Sequence, residues 1–95
     1  MDLPKGKINE VGKIVGLYEV SIEGVEQRLK VKVIKYSHLD GFMGVANLEV
    51  RGKDKIGFYR SLHLQDTKEK AFEDAINGFL VFYSEEAEVR EVKDW

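Results

Sequence analysis

Residues 66–84 read DTKEKAFEDAINGFLVFYS, and this stretch decides the fold. Phe72, Ala75, Ile76, Phe79, Leu80 and Tyr83 recur at three- and four-residue steps, the period of a helix with one apolar face. Asp66 stands where an N-cap belongs, and Glu69 three residues on completes a capping box. Glu69, Glu73 and Asp74 place negative charge in the first half, where the helix dipole favours it. Lys70 and Asp74 have the i,i+4 spacing of an ion pair worth about 0.2–0.5 kcal/mol. A second row, Ala71, Ala75, Gly78 and Phe82, runs alongside, and its small residues let the helix approach a sheet closely. Gly78 costs a helix interior roughly 1 kcal/mol relative to alanine, so packing has to offset it. The run Phe79-Leu80-Val81-Phe82-Tyr83 is apolar on nearly all sides, which suits either a deep core or an interface with another chain.

Upstream, the pattern changes to period two. Residues 1–10 hold the single proline and little periodicity, and read as a loose lead-in. Over residues 11–22, Tyr18, Val20 and Ile22 face one way and Leu17, Glu19 and Ser21 the other. Gly12 and Gly16 fall on the Tyr18 face and suggest a bulge or a close neighbouring backbone, and Glu23-Gly24 is a turn. Leu29, Val31 and Val33 oppose Arg28, Lys30 and Lys32 in a second strand, whose alternation inverts at Ile34-Lys35-Tyr36 as a β-bulge would cause. After a loop at residues 37–41, a third strand over residues 42–51 sets Phe42, Ala46, Leu48 and Val50 against Asn47, Glu49 and Arg51, with Gly44 on the core side making room for the helix. Residues 52–55 form a turn. A fourth strand over residues 58–64 places Tyr59, Ser61 and His63 opposite Phe58, Arg60, Leu62 and Leu64. Beyond the helix, residues 87–92 can add a short edge strand.

Strands joined by short loops and followed by one long helix give an α+β domain: an antiparallel β-meander of about four strands, with the helix across one face. Ninety-five residues make a single domain over residues 1–95. Without cysteine there are no disulfides or thiolate zinc sites. No segment approaches the roughly 18–20 apolar residues of a membrane span, and no signal-peptide pattern opens the chain, which is read as cytoplasmic with no membrane partner. The net charge of −2 conceals a split. Residues 1–65 carry 11 Lys+Arg against 8 Asp+Glu, net +3, and residues 66–95 carry 4 against 9, net −5.

Chemistry is sparse. His38 and His63 lie on different elements without acidic residues at ligand spacing, so neither a metal nor any other cofactor is expected. Ser61 and His63 share a strand face within hydrogen-bond reach, but neither an oriented base nor an oxyanion hole is visible, and the pair reads as an outward polar strand face. Glu85-Glu86 reads as solvated surface, and no phosphate-cradling glycine loop is present. The chain is therefore read as non-enzymatic. A nucleic-acid face is the alternative: Arg28, Lys30, Lys32, Arg51 and Arg60, extended by Lys53 and Lys55 with Tyr36 and Tyr59 nearby, could form a basic surface on the sheet. Interleaved Glu26 and Glu49 and an isoelectric point near 5.7 disfavour it.

The segment Gln65-Asp66-Thr67-Lys68-Glu69-Lys70-Ala71, followed by Ala75 and an aromatic helix end, resembles the helix start of HicB-type antitoxin domains, G-D-T-x-E-E-A after three strands. The matching positions are Asp66, Thr67, Glu69 and Ala71, and the strand–helix–strand order agrees. The Pro-Gly step of that pattern is replaced by Tyr59-Arg60-Ser61-Leu62-His63, an extra strand precedes the unit, and no DNA-binding element follows Val92. The resemblance implies an RNase H-like sheet-and-helix fold that binds a protein partner and self-associates. The surplus apolar surface implies the same kind of role. We expect a small protein-interaction or oligomerising domain, pairing with itself as a homodimer or with another protein through Phe79, Phe82, Tyr83 and Trp95.

Overall fold

A computed structural model describes residues 10–95, so the expected lead-in at residues 1–10 lies, Glu10 apart, outside the described residues. Helix α1 spans Lys68–Phe82. Its N-cap is Thr67 rather than Asp66: Thr67 is extended, and its hydroxyl accepts the Lys70 amide at 3.1 Å. The shift by one residue moves Glu69 to the second helical position, so no capping box forms. Asp66 instead lies 3.8 Å from the Lys70 ammonium, and Asp74 accepts from the Ser61 hydroxyl. Thr67→Ala is expected to lower unfolding free energy by about 1 kcal/mol, against a few tenths for Asp66→Ala, as read by urea denaturation. At the other end, the Tyr83 backbone amide bonds to the Leu80 carbonyl, and the Tyr83 hydroxyl donates to the Gly24 carbonyl at 2.9 Å, tying the helix to the first turn.

Four strands form an antiparallel sheet in the order β1-β2-β3-β5: β1 is Gly12–Val20, β2 Leu29–Tyr36, β3 Phe42–Ala46 and β5 Leu64–Gln65. A second, two-stranded antiparallel sheet pairs β4, Leu48–Arg51, with β6, Glu88–Glu91. Of the two readings of Gly12 and Gly16 a bulge is found, between Ile14 and Gly16, and it leaves Gly16 on the Tyr18 face but puts Gly12 on the opposite one. Opposite it, β2 runs on without a slip, so the inversion read at Ile34 does not occur: the extra residue belongs to β1, and Ile34 keeps the outward side of the alternation.

The third strand of the sequence reading is two strands. Asn47 divides them: its backbone amide still donates to the Lys30 carbonyl at 2.9 Å, but its side-chain Oδ1 accepts the Lys30 amide at 2.7 Å and Nδ2 donates to the Arg28 carbonyl at 3.3 Å. Its backbone carbonyl accepts the Val92 amide at 2.8 Å, so one residue joins β2 to the end of β6. The buried alternation survives the break, since Gly44, Ala46, Leu48 and Val50 all face inward. The fourth strand is likewise reduced to its ends. Tyr59 bridges Val50, and Leu64–Gln65 pairs with Met43 and Phe42. With β3 and β4 diverging at Asn47, one straight partner cannot follow both.

The core consists of Leu29, Val31, Val33, Ala46, Leu48, Val50, Ala71, Ala75 and Phe79. Gly44 lies directly under α1, where an added Cβ would run into the Ala71 carbonyl oxygen and sit 3.2 Å from the Ala75 Cβ. Gly78 lets the helix pass over residues 59–61: a Cβ there would stand 2.6 Å from the Ser61 Cβ. The apolar helix end is sorted by this packing. Phe79, 2 % exposed, belongs to the core, Phe82 and Tyr83 are half-buried against it, and Leu80, read as a core position, faces solvent with Val81.

Candidate interaction surface

The face of the four-stranded sheet turned away from α1 is built by register. Ile14 lies opposite Ile34, Ile34 opposite Met43, and Met43 opposite Leu64. Directly opposed residues in an antiparallel ladder share a face. One unbroken apolar row therefore crosses all four strands. The next row runs Leu17, Lys32, Val45, and the one beyond it pairs Glu19 with Lys30. None of Ile14, Leu17, Ile34, Met43, Val45 or Leu64 packs on the core cluster. Leu17 is 69 % exposed, Ile14 56 % and Leu64 42 %.

Trp95 lies on this same face. Its indole N–H donates to the Val45 carbonyl at 2.8 Å, and the Lys32 ammonium sits 4.8 Å from the ring centroid. With Leu17, Tyr18, Glu19 and Lys30 it lines a cleft of about 430 Å³. The other three residues expected at the interface are elsewhere: Phe79 is in the core, Tyr83 stacks on it at 5.6 Å, and Phe82 tilts onto the Tyr59 ring at 4.8 Å. The helix end and Trp95 thus do not form one patch.

The basic side chains are engaged inside the protomer. Arg51 pairs with Glu88 and Lys53 with Glu86, while Arg28 lies 3.9 Å from Glu19. Arg60 donates to the Ala46 carbonyl, Lys32 stands over Trp95, and Lys30 is opposite Glu19 in the ladder. The outer face of the small sheet is a lattice of alternating charge, with Arg90 paired to Glu49 and both Arg51 and Arg90 placed over the Phe58 ring. Exposed pairs of this kind contribute little stability.

Ser61 is not on an outward face. It is 3 % exposed, and its hydroxyl lies 2.5 Å from Asp74 Oδ2 on α1 and 2.9 Å from His63 Nδ1. The hydroxyl has one proton. If it is directed to the carboxylate, which only accepts, the contact to His63 needs an N–H at Nδ1. Asp74 Oδ2 approaches that same nitrogen at 3.4 Å. Serine and carboxylate therefore meet one imidazole nitrogen, whereas acid–base relay through a histidine places them at opposite nitrogens. The cluster fastens residues 61–63 to α1. Among the described residues no group of three or more His, Cys, Asp or Glu side chains has metal-binding proximity, and no helix is long and apolar enough to cross a membrane.

The sequence reading missed the apolar row. Its one local signal was the outward position of Ile34, which strict continuation of the β2 alternation would have exposed. Met43, Val45 and Leu64 join Ile34 only through strand pairing. The chain matches no protein-family model, no curated protein and no solved structure.

Proposed function

We propose that this domain is a protein-interaction module that self-associates, using the apolar outer side of its four-stranded sheet. The row Ile14–Ile34–Met43–Leu64 carries the reading. A contiguous apolar surface loses free energy in water, and covering it recovers about 25 cal/mol per Å². The small sheet's outer face is a charge lattice, and the exposed Ile56 and Val81 lie outside any strand row. Self-association is also what the likeness of residues 65–71 to HicB-type domains implies.

Light scattering over a hundredfold concentration range tests this. The wild-type chain is expected to approach twice 10.9 kDa at the upper end and to fall toward the monomer on dilution. The double variant Ile14→Lys, Leu17→Lys is expected to raise the dissociation constant at least about tenfold, the equivalent of losing one well-buried aliphatic side chain. Both side chains are solvent-exposed in the protomer, so its fold is retained. A monomeric wild type throughout the range would remove the proposal.

A further inference from the structure

We infer that two copies join edge to edge through β1, antiparallel about a two-fold axis, in the register that sets Ile14 opposite Leu17 of the second copy. This rests on the self-association reading above and places the contact at the β1 edge of the apolar side, covering Ile14 and Leu17 rather than Ile34, Met43 and Leu64. β1 is the free edge of the large sheet and is nine residues long. Half of its backbone N–H and C=O groups point away from β2 and find no strand among the described residues. The other terminal strands are blunted: β4 has four residues and is bridged by Tyr59 on the side away from β6. β5 has two residues, and β6 is four residues long with Glu88, Arg90 and Glu91 among them. Within β1 only Lys13 and Glu19 are charged, and no proline interrupts it.

The bulge selects the register. Gly12, Ile14, Leu17 and Glu19 lie on the outward face, Lys13, Gly16, Tyr18 and Val20 on the helix side, and Val15 is the inserted residue that packs on the core. Across a two-fold, opposed residues must share a face. Setting Gly12 against Glu19, Lys13 against Tyr18 and Ile14 against Leu17 satisfies this along the strand, with Val15 and Gly16 of each copy meeting at the axis. Sliding one strand by a single residue brings outward Ile14 against inward Gly16 or Tyr18. In the matched register no like charges are opposed. The outer rows also merge: Leu64, Met43, Ile34 and Ile14 of one copy run on into Leu17, Lys32 and Val45 of the other. An edge added by backbone hydrogen bonds thereby joins the two outer faces, with Lys32 the charged member of the merged row.

The absence of cysteine makes the test clean. The double variant Ile14→Cys, Leu17→Cys, oxidised with glutathione disulfide at a concentration where the wild type is dimeric, is expected to give a covalent dimer on a non-reducing gel. Opposed residues sit about 4.5–5.5 Å apart between Cα atoms, within disulfide range. Residues 14 and 17 of one chain, and residue 14 with its own copy, are about 10 Å apart, beyond that range. Each single variant alone is therefore expected to stay uncrosslinked, and the two mixed to crosslink. Circular dichroism checks the fold. A wild-type dimer whose double variant fails to crosslink, or whose single variants crosslink as fully, would overturn the register while self-association stood. Efficient crosslinking of Met43→Cys to itself would instead place the copies face to face. A monomeric wild type would overturn both readings.

Discussion

Gly44→Ala is expected to destabilise the protein by about 3 kcal/mol, near the upper end for overpacking a close-packed core. Gly44 sits mid-strand in β3, and the atom an alanine Cβ would strike is the Ala71 backbone carbonyl oxygen. A side chain can rotate aside, but a helix carbonyl cannot move without the helix. Lifting α1 would loosen Ala71, Ala75 and Phe79 from the β2–β3 surface at once. Against a total stability of roughly 5–15 kcal/mol, that loss is large. Urea unfolding followed by the fluorescence of Trp95, the single tryptophan, reads it out. Gly57→Ala is the control, because nothing lies within 4 Å of a Cβ there, and its midpoint is expected to stay put. Equal midpoints for both variants would mean that the helix is not seated on Gly44.

Phe79→Ala is expected to cost about 3–5 kcal/mol, the range for deleting a buried aromatic ring. Phe79 is enclosed by the core cluster and stacks on Tyr83, whose hydroxyl anchors the helix end at Gly24. The variant loses stability through the protomer itself. Val81→Ala, at a position 73 % exposed, is expected to change stability by no more than about 0.5 kcal/mol. The same pair of variants also separates core from interface at the helix end. Under conditions where Phe79→Ala remains folded, its dimer dissociation constant is expected to match the wild type. A large loss of association with normal unfolding behaviour would return the apolar helix end to the interface.

The candidate surface and the residues named for it from sequence overlap in Trp95 alone. Exposed apolar side chains occur both in the run read as surplus, at Leu80 and Val81, and on the sheet, at Ile14, Leu17 and Leu64. The run at residues 79–83 is apolar in sequence, yet a helix turns each successive residue by a large angle. The five side chains therefore part company: one enters the core, two rest on its rim and two face water. The outer sheet row went unseen for the opposite reason. Its members are single apolar residues at Ile14, Ile34, Met43 and Leu64, each unremarkable within its own strand. They become a surface only when four strands are set side by side. The polar cluster behaves similarly. Ser61 and His63 could be placed on one face from spacing, but their third member, Asp74, comes from the helix and was assigned to Lys70.

What the sequence determined by itself was local and periodic. A helix within residues 66–84, the inward faces of β2 over residues 29–33 and of β3, the glycine seat at Gly44 and the turn at Gly24 all follow from spacing and residue type, because short-range backbone geometry dictates them. Tertiary structure alone decided where Asn47 splits a continuous alternation into two sheets, which strand carries the bulge, where Asp74 points, and which exposed residues share a face. Each of these depends on the register between segments far apart in the chain. Register is set by the packed whole, since a slip of one residue would exchange the buried side of a strand for its solvent side.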